Sequence, residues 1–366
     1  MVLLLEQLLN GVQLGVMLFL LAAGLTLVFG IMGVINLAHG SLYMIGAFVA
    51  AWVAAETGSV FLALLGGLAA AGATGMAIEF VVLRRLYARN HLDQVLATFG
   101  LILFFNQAMV ILFGRWPLFV ALPEFLSGAV EILPGVPYPV YRLLIIACGL
   151  LVALGLWLLI QKTRIGMLVR AGATHREMVR ALGVDIRMLY TLVFGLGALL
   201  AGFAGVMAGP IYSVNVGMGE PILILTFVVV IIGGVGSVRG AMYGALLVGL
   251  VDTMLRAYLP GLLRAVMDAS QADMLGAGLA SMGVFLLMAL VLLRFPEAPP
   301  AFRRGVLQTL QDEQDHTRLY LRRMEQCGLQ FGELPVSGYF WRSVSPMTRP
   351  MDFVAGLSLT FEQANL

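Results

Sequence analysis

Few residues in this sequence have the type and spacing to do chemistry. Lys162 is its one lysine. A phosphate-cradling Walker A loop needs a Gly-Lys-Ser/Thr step, and the nearest glycine, Gly166, lies on the wrong side of that lysine. The chain therefore carries no standard P-loop, and any ATP hydrolysis must come from a partner. A metal site needs several His, Cys or carboxylate ligands brought together, yet His39, His91, His175 and His316 fall in separate segments. Neither a Ser/His/Asp arrangement nor a His-Glu-x-x-His motif is present. Cys148 sits in an apolar run and Cys327 in a polar tail, so no disulfide is expected. Catalytic residues, metal and cofactor are all expected to be absent.

Ionisable groups inside apolar segments are costly and few. Glu79, about one turn before Arg84 and Arg85, reads as an interfacial carboxylate paired with them. Asp252 and Arg256 are spaced for an i,i+4 pair, and Glu56 reads as an outer-end residue. Asn36 and His39, three apart, are placed to share a helix face. A proton relay needs a chain of such groups, and none is visible.

The elements that hold these residues are set by hydropathy. Of 366 residues, 60% are hydrophobic and 11% charged, with a mean hydropathy of +0.96. So much apolar surface belongs in helices in lipid. The net charge of +2 argues against nucleic acid. Apolar runs near 8–33, 38–55, 60–83, 94–114, 140–161, 189–209, 221–238, 240–259 and 274–293 predict an all-α polytopic integral membrane protein with eight or nine transmembrane or re-entrant helices. The short, glycine-broken 38–55 and 221–238 runs are candidates for re-entrant or discontinuous helices. With alternating spans, thirteen basic residues between Arg84 and Arg304 share one face, whereas Arg115, Arg142, Arg256 and Arg264 take the other. The positive-inside rule makes the first face cytoplasmic. The N-terminus is then outside, unless 38–55 is re-entrant. Met1 to Glu6 lack a basic region, so no cleaved signal peptide is expected. An apolar membrane domain covers 1–296, and a polar extension covers 297–366.

Two glycine-rich segments, Gly30–Gly46 and Gly233–Gly244, either line a polar path or serve tight helix packing. They match at an offset of 200 at Gly33/Gly233, Gly40/Gly240 and Tyr43/Tyr243, a weak internal repeat. The proline-rich 115–139 connection reads as an ordered outer loop or a short surface helix. Residues 162–188 read as a short basic amphipathic helix stopped at Gly183. It either lies on anionic lipid or docks a soluble partner.

Four stretches carry a likeness to a known family: Gly24 to Gly40 with Asn36 and His39, Leu92-Asp93-Gln94 to Gly100, the 166–185 connection, and Phe227 to Gly244. The chain resembles the permeases of branched-chain amino acid ABC transporters, of the LivH type, over roughly residues 8–294. The resemblance implies a bacterial inner-membrane, multi-pass subunit. Its partners would be a second homologous permease, two cytoplasmic ATP-binding subunits and a periplasmic substrate-binding protein. It implies that Arg170, Ala171, Glu177, Ala181 and Gly183 belong to the segment that couples to the ATPase. It also places Asn36, His39 and Gly40 at a helix break near the translocation path, to which the glycine element Gly233, Gly234, Gly236 and Gly240 is assigned as well. His175 stands where many members carry an acid. Arg294-Phe295-Pro296-Glu297 departs from the usual ending, and the polar tail reads as a lineage-specific extension. The rival expectation is a secondary carrier or facilitator for small amides, urea or organic acids, working without an ATPase.

Overall fold

The computed structural model describes residues 2–34, 36–87, 89–133, 135–174 and 176–294. The polar extension and the departures at Phe295 to Glu297 lie outside the described residues, as does His175. Among the described residues, eight helices are long and apolar enough to cross a membrane, joined by one shorter apolar helix. The chain is a polytopic all-α membrane protein.

In chain order the elements are α1 (Val2–Met32), α2 (His39–Thr57), α3 (Val60–Ile78), a π turn (Glu79–Leu83), α4 (Arg84–Leu86) and α5 (His91–Phe113). Then come α6 (Glu124–Ser127), the strands β1 (Ala129–Leu133) and β2 (Val136–Pro139), α7 (Val140–Lys162), α8 (Arg164–Thr174) and α9 (Arg176–Ala181). α10 (Ile186–Ala208), α11 (Gly219–Gly233), α12 (Val238–Leu263) and α13 (Ala269–Arg294) complete the chain. All nine predicted runs form helices, and α11, at 15 residues, is the shorter one.

α1 is the central helix. It packs along α12 and α10, with α7 and α11 beside it. Its residues Val16 to Gly24 are wholly enclosed, including Phe19. α2, α3 and α10 form a second close-packed group. Small residues set these approaches, because apolar side chains gain little by leaving lipid and association depends on packing. A Cβ at Gly15 would lie 2.9 Å from the Ala245 carbonyl oxygen on α12.

Local signals explain the helix ends. Ser59, Asn90, Asp185 and Ser237 accept backbone N–H groups at the starts of α3, α5, α10 and α12. Gln94 Nε2 donates to the carbonyls of Leu86 (3.2 Å) and Arg89 (3.3 Å), tying the turn before α5 to its own first coil. The proline-rich connection is ordered, as expected, and holds the short helix α6: β1 and β2 pair antiparallel, and Leu118 forms a bridge with Val214.

Glu79 has no exposed surface. It accepts from Arg84 Nε at 3.0 and 3.2 Å, from the Tyr87 hydroxyl at 2.8 Å and from Thr191 Oγ1 at 2.7 Å. Burial, and then the Glu79 carboxylate, push the Tyr87 phenol far above its usual range, so it stays a donor. The expected pairing with Arg84 is thus present, while Arg85 turns to the Val81 carbonyl instead. Asp252 and Arg256 form the expected i,i+4 pair at 2.9 Å.

Helix alternation sets the connections at 87–90, 163–185 and 234–237 at one end of the bundle. The Arg84–Thr191 hydrogen bond (2.7 Å) ties the first two of these regions together. At the other end, Arg142 meets Asn10, Arg256 meets Asp252 and Arg264 meets Asp273 at 2.7 Å.

Candidate functional site

The break between α1 and α2 begins at Gly33, whose φ of +66° is left-handed and suits glycine. Val34, Asn36 and Ala38 then run through the interior with no exposed surface. Irregular backbone at such depth is tolerated only when covered by protein or lining a cavity. Asn36 Oδ1 accepts the Ala38 N–H at 3.1 Å and steadies the turn. Asn36 therefore precedes the helix that His39 opens. The shared helix face expected for the two is not formed, because the chain bends between them.

His39 Nε2 lies 3.2 Å from the Leu21 carbonyl. A carbonyl only accepts, so this nitrogen carries the proton. Leu21 is well inside α1, and so α2 starts alongside the middle of that helix rather than at its end. Next to His39, Gly40 faces Gly219, the first residue of α11. A Cβ on Gly40 would sit 2.5 Å from the Gly219 carbonyl oxygen. Two helix starts thus meet backbone to backbone within the bundle.

Beside this contact, Asn106 Nδ2 on α5 donates to Glu220 Oε1 at 2.6 Å. Asn106 Oδ1 and Glu220 Oε2 are buried and accept nothing from the described residues. An unmet buried polar atom costs about 1–3 kcal/mol. Sequence reasoning passed over Glu220. The signal was there: a carboxylate at the head of an apolar run, in Gly219-Glu220-Pro221.

The second glycine element forms the turn from α11 to α12. Gly234 and Gly236 have φ of +85° and +83°. Gly233 and Gly240 press together so closely that a Cβ on either would meet the other's backbone. Ser237 Oγ accepts the Gly240 N–H at 3.0 Å. Gly30 of the first element lies against this turn, with a Cβ on it reaching 2.9 Å from Gly236 Cα. At the offset of 200 the partners differ in setting: Gly33 is left-handed but Gly233 is helical, and Tyr43 is buried but Tyr243 is 75% exposed.

Within the 162–188 segment, residues 164–174 and 176–181 are helical, and the helical stretch stops at Gly183 as expected. α8 and α9 flank position 175, and Gly183 ends the second with φ of +85°. Gly166, Val169 and Gly172 face the bundle, with Val179 also buried. Met167, Met178 and Leu182 point outward, the last two 63% and 77% exposed. Arg170 is exposed and bonds the Ile160 carbonyl; Ala171 is half-buried, and Ala181 and Gly183 are exposed. The Glu177 side chain is not among the described ones. Arg170 and Arg239 both line a groove of about 620 Å³ over Phe19 and Leu27 of α1, which unites the basic segment with the second glycine turn.

Residues 7–293 match the family described as the branched-chain amino acid transport system permease component. The chain belongs to this family. Its class is a transporter permease subunit, not an enzyme, and it implies a system with further subunits. The high-affinity branched-chain amino acid transport system permease protein BraD of Pseudomonas aeruginosa is 35% identical to this permease over 306 residues, 80% of this chain and 94% of that protein. LivH of Escherichia coli K12 is 32% identical over 269 residues, 70% and 87% of the two chains. A ribose import permease, RbsC of the same bacterium, is 25% identical over 244 residues, 64% and 72%. Residues 284–366 match a family described only as a protein of unknown function. No solved structure matches. Among the described residues, the permease presents two glycine breaks, a groove over α1 and an outward-facing Met178 and Leu182.

Proposed function

We propose that this permease forms half of the pore of an ATP-driven importer for branched-chain or similar apolar amino acids in a bacterial inner membrane. A second permease completes the pore, two cytoplasmic ATP-binding subunits drive it, and a periplasmic binding protein delivers the solute. The observation that carries the reading is the 35% identity spread over nearly the whole of BraD, together with a basic surface segment that turns Met178 and Leu182 outward. Such an exposed apolar pair at one bundle end suits insertion into a partner's cleft. The arginine-rich end, holding Arg84, Arg85, Arg170 and Arg239, is then the cytoplasmic one.

In this mechanism α8 and α9 take up the closing motion of the ATPases and pass it to α10, which follows directly. α10 packs on α1, α2 and α3, so its tilt reaches the first break directly and the second through α1, which packs on α11 and α12. Gly40 with Gly219, and Gly233 with Gly240, are contacts of backbone on backbone that form or part without side-chain rearrangement. Asn36, His39, Gly40, Gly233, Gly234, Gly236 and Gly240 border the path. Arg170, Ala171, Glu177, Ala181 and Gly183 belong to the coupling segment. The protein supplies a two-state element biased by its partners, and its partners supply the free energy.

The test is purification of the intact assembly without cross-linking, followed by reconstitution. Two ATPases and a second permease are expected to accompany the chain, and leucine uptake is expected to need ATP and the binding protein. Accumulation by the chain alone would overturn the reading.

A further inference from the structure

We infer that Glu220 and Asn106 form the receptor for the ammonium group of the transported solute. This rests on the importer reading and gives that reading a substrate contact. Glu220 Oε2 and Asn106 Oδ1 are both buried acceptors without a donor among the described residues. The 2.6 Å bond between the other two atoms of these side chains holds both oxygens in one cluster. No described basic side chain forms an ion pair with Glu220. The adjoining crevice, bordered by Gly40, Ser41 and Gly219, is too narrow for a water molecule.

A group that satisfies two acceptors, one of them a carboxylate, must bring several N–H donors and a positive charge. A primary ammonium does both. The walls nearby are apolar, with Leu37, Met44, Ile102 and Leu223, and these suit an aliphatic side chain. The solute class is then an apolar primary amine, amino acids included, and not a neutral amide or a simple carboxylic acid. Entry requires α2 and α11 to part at Gly40 and Gly219, which now seal the crevice. The competing account is purely structural: Asn106 and Glu220 tie α5 to α11 and bind nothing.

The two accounts separate in thermal unfolding of the full-length chain, purified in detergent with its accompanying subunits. The probes are L-leucine, 3-methylbutylamine, which lacks the carboxylate, and 4-methylpentanoate, which lacks the amine. The first two are expected to raise the unfolding midpoint and the third is not. Glu220→Gln should abolish that rise and Glu220→Asp should keep part of it. Asn106→Leu, which leaves the carboxylate, should weaken amine binding about tenfold. Stabilisation by 4-methylpentanoate equal to that by leucine, retention of the rise in Glu220→Gln, or no rise with either amine overturns the site. ATP-dependent leucine uptake without any amine effect sinks the site alone; an amine effect without ATP-dependent uptake sinks the importer reading alone.

Discussion

Thr191 Oγ1 lies 2.7 Å from Glu79 Oε2, although 112 positions separate the two residues. The bond joins the π turn after α3 to the first turns of α10, just beyond the segment assigned to ATPase coupling. π turns in helices often mark functional sites. Here the turn gathers Arg84, Tyr87 and Thr191 around the Glu79 carboxylate. Glu79→Ala would leave Arg84 and Tyr87 facing a void. A loss of about 2–4 kcal/mol is expected, reduced by the partial exposure of Arg84. Unfolding of the purified chain in detergent measures it, and an unchanged midpoint would contradict the role.

Glycines in this chain separate into two classes by what surrounds them. Gly40 meets the Gly219 backbone, whereas Gly155 has open space around its α-carbon. Gly40→Ala should force α2 from α11 at a cost of about 1–3 kcal/mol. Gly155→Ala should be neutral or stabilising by up to about 1 kcal/mol, since it only restricts the unfolded helix. Equal effects at the two positions would argue against the close contact.

Met178 and Leu182 face outward and support no core. Replacing both with Asp is expected to leave stability within about 0.5 kcal/mol while abolishing co-purification of the ATPases. A doubly substituted chain that still brings down both ATPases would move the docking surface elsewhere.

The two ion pairs on the opposite face should respond differently. Asp252 is only 3% exposed, and its Oδ2 holds Arg256 at 2.9 Å. Asp273 and Arg264 are both about half exposed. Asp252→Asn should cost roughly 1–3 kcal/mol, Asp273→Asn under about 1 kcal/mol. Added salt should erase the second effect and spare most of the first.

Sequence alone determined what depends on short range. Run length placed all nine apolar helices, i,i+4 spacing paired Asp252 with Arg256, and glycine spacing marked both breaks. The motifs named the family. Tertiary structure decided which helix meets which. The most apolar stretches of α1 and α5 have mean hydropathies of 2.5 and 2.1, yet 83% of the first is buried and 17% of the second. In lipid, an apolar helix needs no apolar face to mark its inner side, so hydropathy cannot rank burial. For the same reason the outward turn of Met178 and Leu182, and the meetings of His39 with Leu21, Gly40 with Gly219 and Asn106 with Glu220, were illegible. Each depends on backbones brought within a few ångströms across long loops, and residue type records only that such closeness is permitted.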